Sequence, residues 1–250
     1  MKVLAAGLIL GSLFISFSAQ AESLRLASEG AYPPFNYVDS DNKLHGFDID
    51  IAYALCDKMK VECIVTAQDW DGIIPGLLAK KYDGIIASMI PTEERRQKVD
   101  FTNRYYTTKL AVAVRKDSDI KDVEPQSMKG KTIGAQAGTA QANYAEDNYG
   151  PAGAEIKLYP TADDANSDLL NNRLDGIVHD KYPLMSWLEN EGKDCCKVLG
   201  ELDGTNEPVA IAIRKNSDEL KARLNKAIDE IRADGTYEKI AKKYFQFDVY

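Results

Sequence analysis

The chain has 250 residues, with 31 Lys+Arg against 39 Asp+Glu and a formal net charge of −8. That acidic balance argues against a nucleic-acid binder and against attachment to anionic membranes. The length fits either one large domain or two small ones.

The first element stands outside the fold. Lys2 precedes the apolar run "VLAAGLILGSLFISF" and then "SAQA", with Ala19 and Ala21. This charged, apolar and small-residue order is that of a cleaved secretory signal. The run is shorter than the roughly 20 apolar residues of a membrane-spanning helix. No Cys follows the cleavage site to carry a lipid. The mature protein is expected to begin near Glu22, outside the cytoplasm.

Strands and helices then alternate. "LRLAS" (24–28) reads as a strand bounded by Gly30 and the Pro33-Pro34 turn. "GFDIDIAYALCDKM" (46–59) places Phe47, Ile51, Ala54 and Leu55 on one helical face. "CIVTAQ" is a strand, "WDGIIPGLLAKK" a helix with Pro75 near its start, and "DGIIAS" a strand. "TEERRQ" opens a short helix and "AVAVRK" (111–116) is a strand.

The plan then restarts. "KTIGAQ" (131–136) is a strand, "TAQANYAEDN" a helix, "EIKLYP" a strand, "TADDANSDLLNN" a helix and "DGIVHD" a strand. A long amphipathic helix near 217–233 and the segment "TYEKIAKKYFQF" close the chain. "LLAKKYDGIIAS" (77–88) returns as "LLNNRLDGIVHD" (169–180), and "LAVAVRK" (110–116) returns as "VAIAIRK" (209–215). The expectation is an α/β protein of two related lobes. Each lobe sends a strand toward a common cleft, one ending at Ser88 and the other at Asp180.

Export permits disulfides. Cys56 and Cys63 are either bridged across a short loop or two buried thiols. Cys195 and Cys196 form a vicinal disulfide, stay reduced, or pair between chains. No Cys-x-x-Cys or Cys/His cluster occurs and the two histidines are far apart, so no metal or cofactor is expected. "DSDNKLHGFDID" has the acidic rhythm of a calcium loop, but Leu44 replaces the needed Gly and Lys43 a ligand.

Arg95 is the first candidate for binding. Thr92 is a good N-cap, and Glu93 and Glu94 suit a first helical turn, whereas a cation there is repelled by the helix end. An anion nearby would explain it, held bidentately by the guanidinium. The alternative is a solvated arginine beside Arg96. "AQAGTAQ" makes a second anion site or only a cap: Gly138 lets a ligand approach, and the Thr139 and Ala140 amides point out of the helix.

Taken together, "EGAYPPFNY", "GFDIDIAYALC", "WDGIIPGLLAKKYDGIIASM", "PTEERRQKVDFT" and "ADGTYEKIAKKYF" resemble the periplasmic amino-acid-binding proteins of ABC importers, solute-binding protein family 3. The resemblance is to the lysine/arginine/ornithine- and histidine-binding group and its opine-binding relatives. It implies a type II two-lobed fold, each lobe a mixed sheet flanked by helices, with the ligand cleft between. Lobe 1 would span 22–108 plus 211–250 and lobe 2 would span 109–210.

It implies further that Arg95 binds the α-carboxylate and Asp180, from the opposite lobe, the α-ammonium. Ser88 would offer its carbonyl or hydroxyl, with Met89 beside it. Tyr32 and Trp70 would sandwich the ligand side chain. Glu29 would meet a distal cation, although it is longer than the aspartate usual there. Cys56 and Cys63 would be bridged. A membrane permease would be the partner, and a monomer is expected. Three departures stand out: Ile90 and Ala87 replace small hydroxyl residues, and Gln136 replaces a hydrophobe. They point to a secondary amine such as an opine, or a modified basic amino acid. Competing readings are a dehydratase-like enzyme, with Glu29 or His179 as acid or base, and a sensory component.

Overall fold

The structure is a computed structural model that describes residues 22–250, so the expected secretory signal lies outside the described residues. Its first half runs β1 (Ser23–Ser28), a hairpin sheet of β2 (Ala31–Tyr32), β3 (Asn36–Val38) and β4 (Leu44–His45), then α1 (Phe47–Met59), β5 (Glu62–Ala67), α2 (Trp70–Leu78), β6 (Gly84–Ile85), α3 (Glu93–Lys98) and β7 (Asp100–Arg115). The second half runs β8 (Thr132–Gln136), α4 (Ala140–Tyr144), β9 (Glu155–Tyr159), α5 (Ala162–Leu170), β10 (Gly176–Asp180), α6 (Lys181–Glu189) and β11 (Cys196–Ile213). The helices α7 (Asp218–Ala233) and α8 (Thr236–Ala241) close the chain.

The main sheet has the order β5-β1-β6-β11-β7-β10-β8-β9. The three strands on either flank pair in parallel. The two central strands run antiparallel to each other and to the inner strand beside each. Parallel strands need helical crossovers that cover both faces, which is why each flank forms an α/β lobe. The long strands β7 and β11 pass through both lobes and join them.

The repeated sequence is repeated structure. Both copies end a nine-residue helix, α2 or α5, with the same reversal. Lys80 and Asn172 take left-handed conformations at the same offset, φ 61° and 58°. The Lys80 amide donates to Leu77 O (3.1 Å), and the Asn172 amide to Leu169 O (3.2 Å). One residue on, Lys81 donates to Gly76 O and Arg173 to Asp168 O. Such bonds satisfy helix-end carbonyls.

The Asp of each Asp-Gly then ties its strand to the next. The Asp83 carboxylate accepts the Arg25 amide (3.2 Å), and the Asp175 carboxylate accepts the Thr132 amide (2.8 Å). The glycine permits close packing: a Cβ at Gly84 would meet Leu26 Cδ2 at 3.0 Å, and one at Gly176 the Ala113 carbonyl at 3.2 Å.

Several elements differ from expectation. The strands expected at 111–116 and 209–215 are only parts of β7 and β11. Their other ends, "DFTNRYYTTK" and "ELDGTNEP", are too polar to read as core strands, and four register shifts interrupt the pairing. Pro75 lies inside α2 and not near its start. The helix expected over "TAQANYAEDN" breaks after Tyr144 into a π-helical turn, Ala145–Tyr149. "DKYP" opens α6, with Pro183 in the first turn, where proline removes no internal hydrogen bond.

Cys56 and Cys63 are bridged, with Cα atoms 5.6 Å apart, and Cys195 is bridged to Cys196. The calcium-like stretch is a hairpin closed by Asp39, whose Oδ1 accepts the Asp41 and Lys43 amides (2.8 and 2.9 Å). Among the described residues no helix is long and apolar enough to cross a membrane.

Candidate functional site

Strand ends from both lobes converge on one cleft. From lobe 1, β1 delivers Glu29, and a turn at Gly30 (φ 81°) then brings in Tyr32. Trp70 begins α2, Arg95 rides on α3, and Ala87, Ser88 and Ile90 follow β6. From lobe 2, β8 ends at Gln136, Thr139 caps α4, and β10 ends at Asp180. These residues line an atom-free space of about 300 Å³, together with Ala140 and Gln141.

Arg95 is 7% exposed. Its Nη1 donates to Ile90 O (2.7 Å) and its Nη2 reaches across the cleft to Gly138 O (2.8 Å). The guanidinium stands 5.0 Å from the centre of the Trp70 ring. Among the described residues it forms no ion pair. Burial brings its pKa down to about 10, against the charges of Glu94 and Asp180. It therefore remains a cation at neutral pH, with hydrogen-bonding capacity beyond its two carbonyls.

Asp180 faces it as the opposite charge. It is 1% exposed; Oδ2 accepts the Tyr32 hydroxyl (2.8 Å) and Oδ1 has no partner among the described residues. Burial pushes its carboxyl up to about 7, against the Tyr32 hydrogen bond. Glu29 Oε1 accepts Gln136 Nε2 across the cleft (2.6 Å), and burial again raises the carboxyl to about 7. Trp70 Nε1 donates to Gly138 O (3.3 Å). Tyr32 stacks on His179, centroids 5.4 Å apart and planes at 9°.

Ten of the expected ligand residues thus meet in one space: Glu29, Tyr32, Trp70, Ala87, Ser88, Ile90, Arg95, Gln136, Thr139 and Asp180. Met89 does not join them. It belongs to the buried apolar cluster that holds Ile73, Leu77 and Ile85, while its carbonyl accepts the Ala210 amide. The Ser88 hydroxyl is turned inward to Asp48 Oδ2 (2.9 Å), which leaves the carbonyl as the group it has to offer. The Thr139 hydroxyl is used as a cap, accepting the Ala142 amide (3.1 Å) and donating to Gln136 O (2.6 Å).

Two contributors escaped the sequence reading. Gln141, the second residue of α4, is buried beside Tyr32. Asp48 lies behind the cleft and is fully buried in α1. It accepts from Asn36 Nδ2 (2.8 Å), Ser88 Oγ (2.9 Å) and the Tyr105 hydroxyl (2.7 Å). Tyr105 in turn accepts the Ser88 amide (3.2 Å), and Asn36 Oδ1 accepts the Gly30 amide (2.8 Å). One carboxylate therefore fixes both lobe 1 segments that wall the cleft. The sequence signal was an acid beside Phe47, within the buried arc of α1.

These shifts set a pH dependence of stability. Burial raises Glu29 and Asp180 to about 7 and Asp48 to about 6. The folded state then holds protons that the unfolded chain has released, so stability falls as pH rises toward 7. His179, lowered to about 4 by burial, acts in the opposite direction and loses stability below its unfolded value of 6.5. Three groups oppose one. Without ligand, the protein is expected to be more stable at pH 5.5 than at pH 7.5, on the order of 2 kcal/mol. Urea unfolding at the two pH values measures this, and equal midpoints would contradict it.

The L-arginine-binding protein of Pseudomonas aeruginosa is 40% identical over 257 residues, covering 100% of this chain and 99% of the relative. The octopine-binding periplasmic protein of Rhizobium meliloti is 32% identical and covers 93% of each. A solved ancestral arginine-binding protein bound to arginine superposes with a TM-score of 0.84 at 36% identity, covering 89% of this chain and 98% of that one. A two-lobed frame, a cleft between strand ends and full-length likeness to binding proteins agree with the remaining comparison. The chain belongs to the bacterial extracellular solute-binding proteins, family 3, whose profile matches residues 24–247.

Proposed function

We propose that the cleft captures one zwitterionic amino acid or amino-acid derivative, basic or opine-like, and that the closed protein delivers it to the membrane permease of an ABC importer. The observation that carries this is the opposed pair: Arg95, a buried cation of lobe 1, and Asp180, a buried carboxyl of lobe 2 with one unpartnered oxygen. A molecule with a carboxylate and an ammonium on one carbon answers both. The lobes divide near 109 and 210, a reading supported by the passage of β7 and β11 between them. The protein works as a monomer in the periplasm after loss of its leader.

The ligand is returned unchanged. A thermal-shift screen of amino acids and opines should find a compound that raises the unfolding midpoint by binding only the folded state. Mass spectrometry should recover it intact. Turnover by sub-stoichiometric protein, or a screen with no shift, ends this reading.

The apolar wall bears on selectivity. Ile90 and Ala87 are buried and carry no hydroxyl. Asp180 Oδ2 is shared with Tyr32, so the cleft offers an ammonium the free Oδ1 and the Ser88 carbonyl. Two acceptors match a secondary ammonium, which has two protons, better than a primary one with three. The octopine-binding relative agrees with this. Octopine is expected to bind more tightly than free arginine, and Ile90→Ser to narrow the gap. Competition calorimetry decides; an unchanged preference for arginine in both proteins would reduce Ile90 to packing.

A further inference from the structure

The segment "YFQFDVY" (244–250) follows α8 and carries four aromatic rings. Most of it is fastened to lobe 1. Phe245 is buried, with ring centroids 5.2 Å from Phe35 and 5.4 Å from Phe47. Val249 is buried too, and its carbonyl accepts the Thr107 amide (2.8 Å). Tyr250 meets Tyr237 edge to face at 5.6 Å, and the Arg104 guanidinium stands 4.7 Å from its ring centre.

Phe247 reaches the other way. It is 45% exposed, and its ring meets Tyr182 of α6 with centroids 5.1 Å apart and planes at 35°. Tyr182 also meets Phe245 at 6.0 Å, and Phe245 meets Phe247 at 5.9 Å. The three rings form one cluster across the proposed lobe boundary. Aromatic pairs at such distances attract beyond the area they bury. Beside them, about 1000 Å³ of atom-free space opens between this segment, Lys181 and the crossover strands β7 and β11. The cluster is therefore a bridge beside open space and not part of a filled core.

Tyr182 is the second residue of α6, two residues past Asp180. Opening the cleft carries Asp180 and the start of α6 away from Tyr32, while Phe245 stays in the core of lobe 1. The ring cluster is thus pulled apart by the same motion that breaks the cross-cleft bonds. Both occur together in this structure: the Tyr32 hydroxyl donates to Asp180 and Gln136 donates to Glu29 while the rings are joined. Among the described residues, the cleft lining includes neither Tyr182 nor Phe247.

We propose that Tyr182, Phe245 and Phe247 form a clasp, a third and non-covalent connection between the lobes beside β7 and β11. Tyr182 and Phe247 are positioning residues. Through α6 they hold Asp180 at the cleft, and they slow release of the ligand without touching it. The inference rests on the proposed capture by lobe closure.

The test uses L-arginine as the probe and Trp70, at the cleft, as the fluorescent reporter in stopped flow. In Tyr182→Ala and in Phe247→Ala, release should speed up roughly fivefold to tenfold. Association should not slow, because the ligand enters between open lobes. The double variant should release at most about twofold faster than the faster single one, since one contact is lost only once. Tyr182→Phe keeps the ring and should keep the parental rate. Circular dichroism checks that each variant is folded. Parental release rates in both alanine variants, single effects that multiply in the double one, or a Tyr182→Phe protein as fast as Tyr182→Ala would overturn the clasp. Small-angle X-ray scattering reads the lobes without any ligand. The radius of gyration should be larger in the double variant than in the parent, and equal values would overturn the clasp as well. A parent that gives no arginine signal would count against arginine in the cleft, and the scattering would then decide on the clasp alone.

Discussion

Arg95→Ala is expected to weaken binding of the cleft ligand by about 3–5 kcal/mol, two to four orders of magnitude in Kd. The side chain is nearly inaccessible, yet its two pinned nitrogens rest on neutral carbonyls, Ile90 O and Gly138 O. Neither neutralises it. A ligand carboxylate that docks there finds a desolvated, preoriented fork. With alanine in place, that carboxylate would be buried opposite Asp180 with no countercharge, and the penalty of an unpaired buried ion dominates. Arg95→Lys should recover only part of the loss, because an ammonium is a point charge without the planar fork. Trp70→Ala should lose less, about 1–2 kcal/mol of stacking and apolar contact. Titration calorimetry at neutral pH reads all three. Near-normal affinity in Arg95→Ala would move the carboxylate site elsewhere.

Asp48→Ala is expected to reduce folding stability by several kcal/mol and ligand affinity with it. The substitution strands three buried donors, on Asn36, Ser88 and Tyr105. Each unsatisfied donor costs about 1–3 kcal/mol. The loss stays below their sum, because burying the carboxylate is itself unfavourable, as its rise to about 6 shows. Affinity falls because Ser88 sits at φ 52°, a left-handed conformation that a serine keeps only when its surroundings hold it there. Asp48→Asn should be intermediate, since an amide accepts on one side and donates on the other. Urea unfolding and calorimetry separate the two effects. A change under about 1 kcal/mol in both would mean that the network does not hold the cleft.

Local chemistry explains which parts were legible in the sequence. The helix starts at Thr92, Thr139 and Thr161 are real caps, each accepting the amide three residues on. Buried strands such as "LRLAS" and "DGIVHD" carry enough apolar residues to declare themselves. The hairpin β2–β4 and the outer lengths of β7 and β11 did not, because tertiary pairing and not composition makes them strands. Arg95 and Asp180 were readable once the surrounding segments resembled a known family, because Arg95 is a cation in a first helical turn and Asp180 is a charge at the end of a buried strand. Met89 was misplaced because closeness in sequence to Ser88 does not reveal which face a side chain takes. Asp48 was overlooked because an acid in a first helical turn has an ordinary electrostatic excuse. Its burial comes from partners 12, 40 and 57 residues away.

The internal doubling has one more consequence. Leu26 pairs with Gly84 as Ile133 pairs with Gly176, which sets the two lobes in register with each other. Counting forward from those partners, Glu29 falls on Gln136, and Ser88 falls on Asp180. Trp70 and Ala162, which open α2 and α5, also correspond. The frame therefore repeats itself in plan, and a frame of that kind cannot by itself tell one end of a molecule from the other. Direction comes from the positions where the copies disagree, such as the Glu29 carboxylate against the Gln136 amide and the Ser88 carbonyl against the Asp180 carboxylate, and from Arg95. Subtracting one half of the chain from the other leaves a short remainder, and that remainder carries the polarity with which a head-to-tail asymmetric guest must enter.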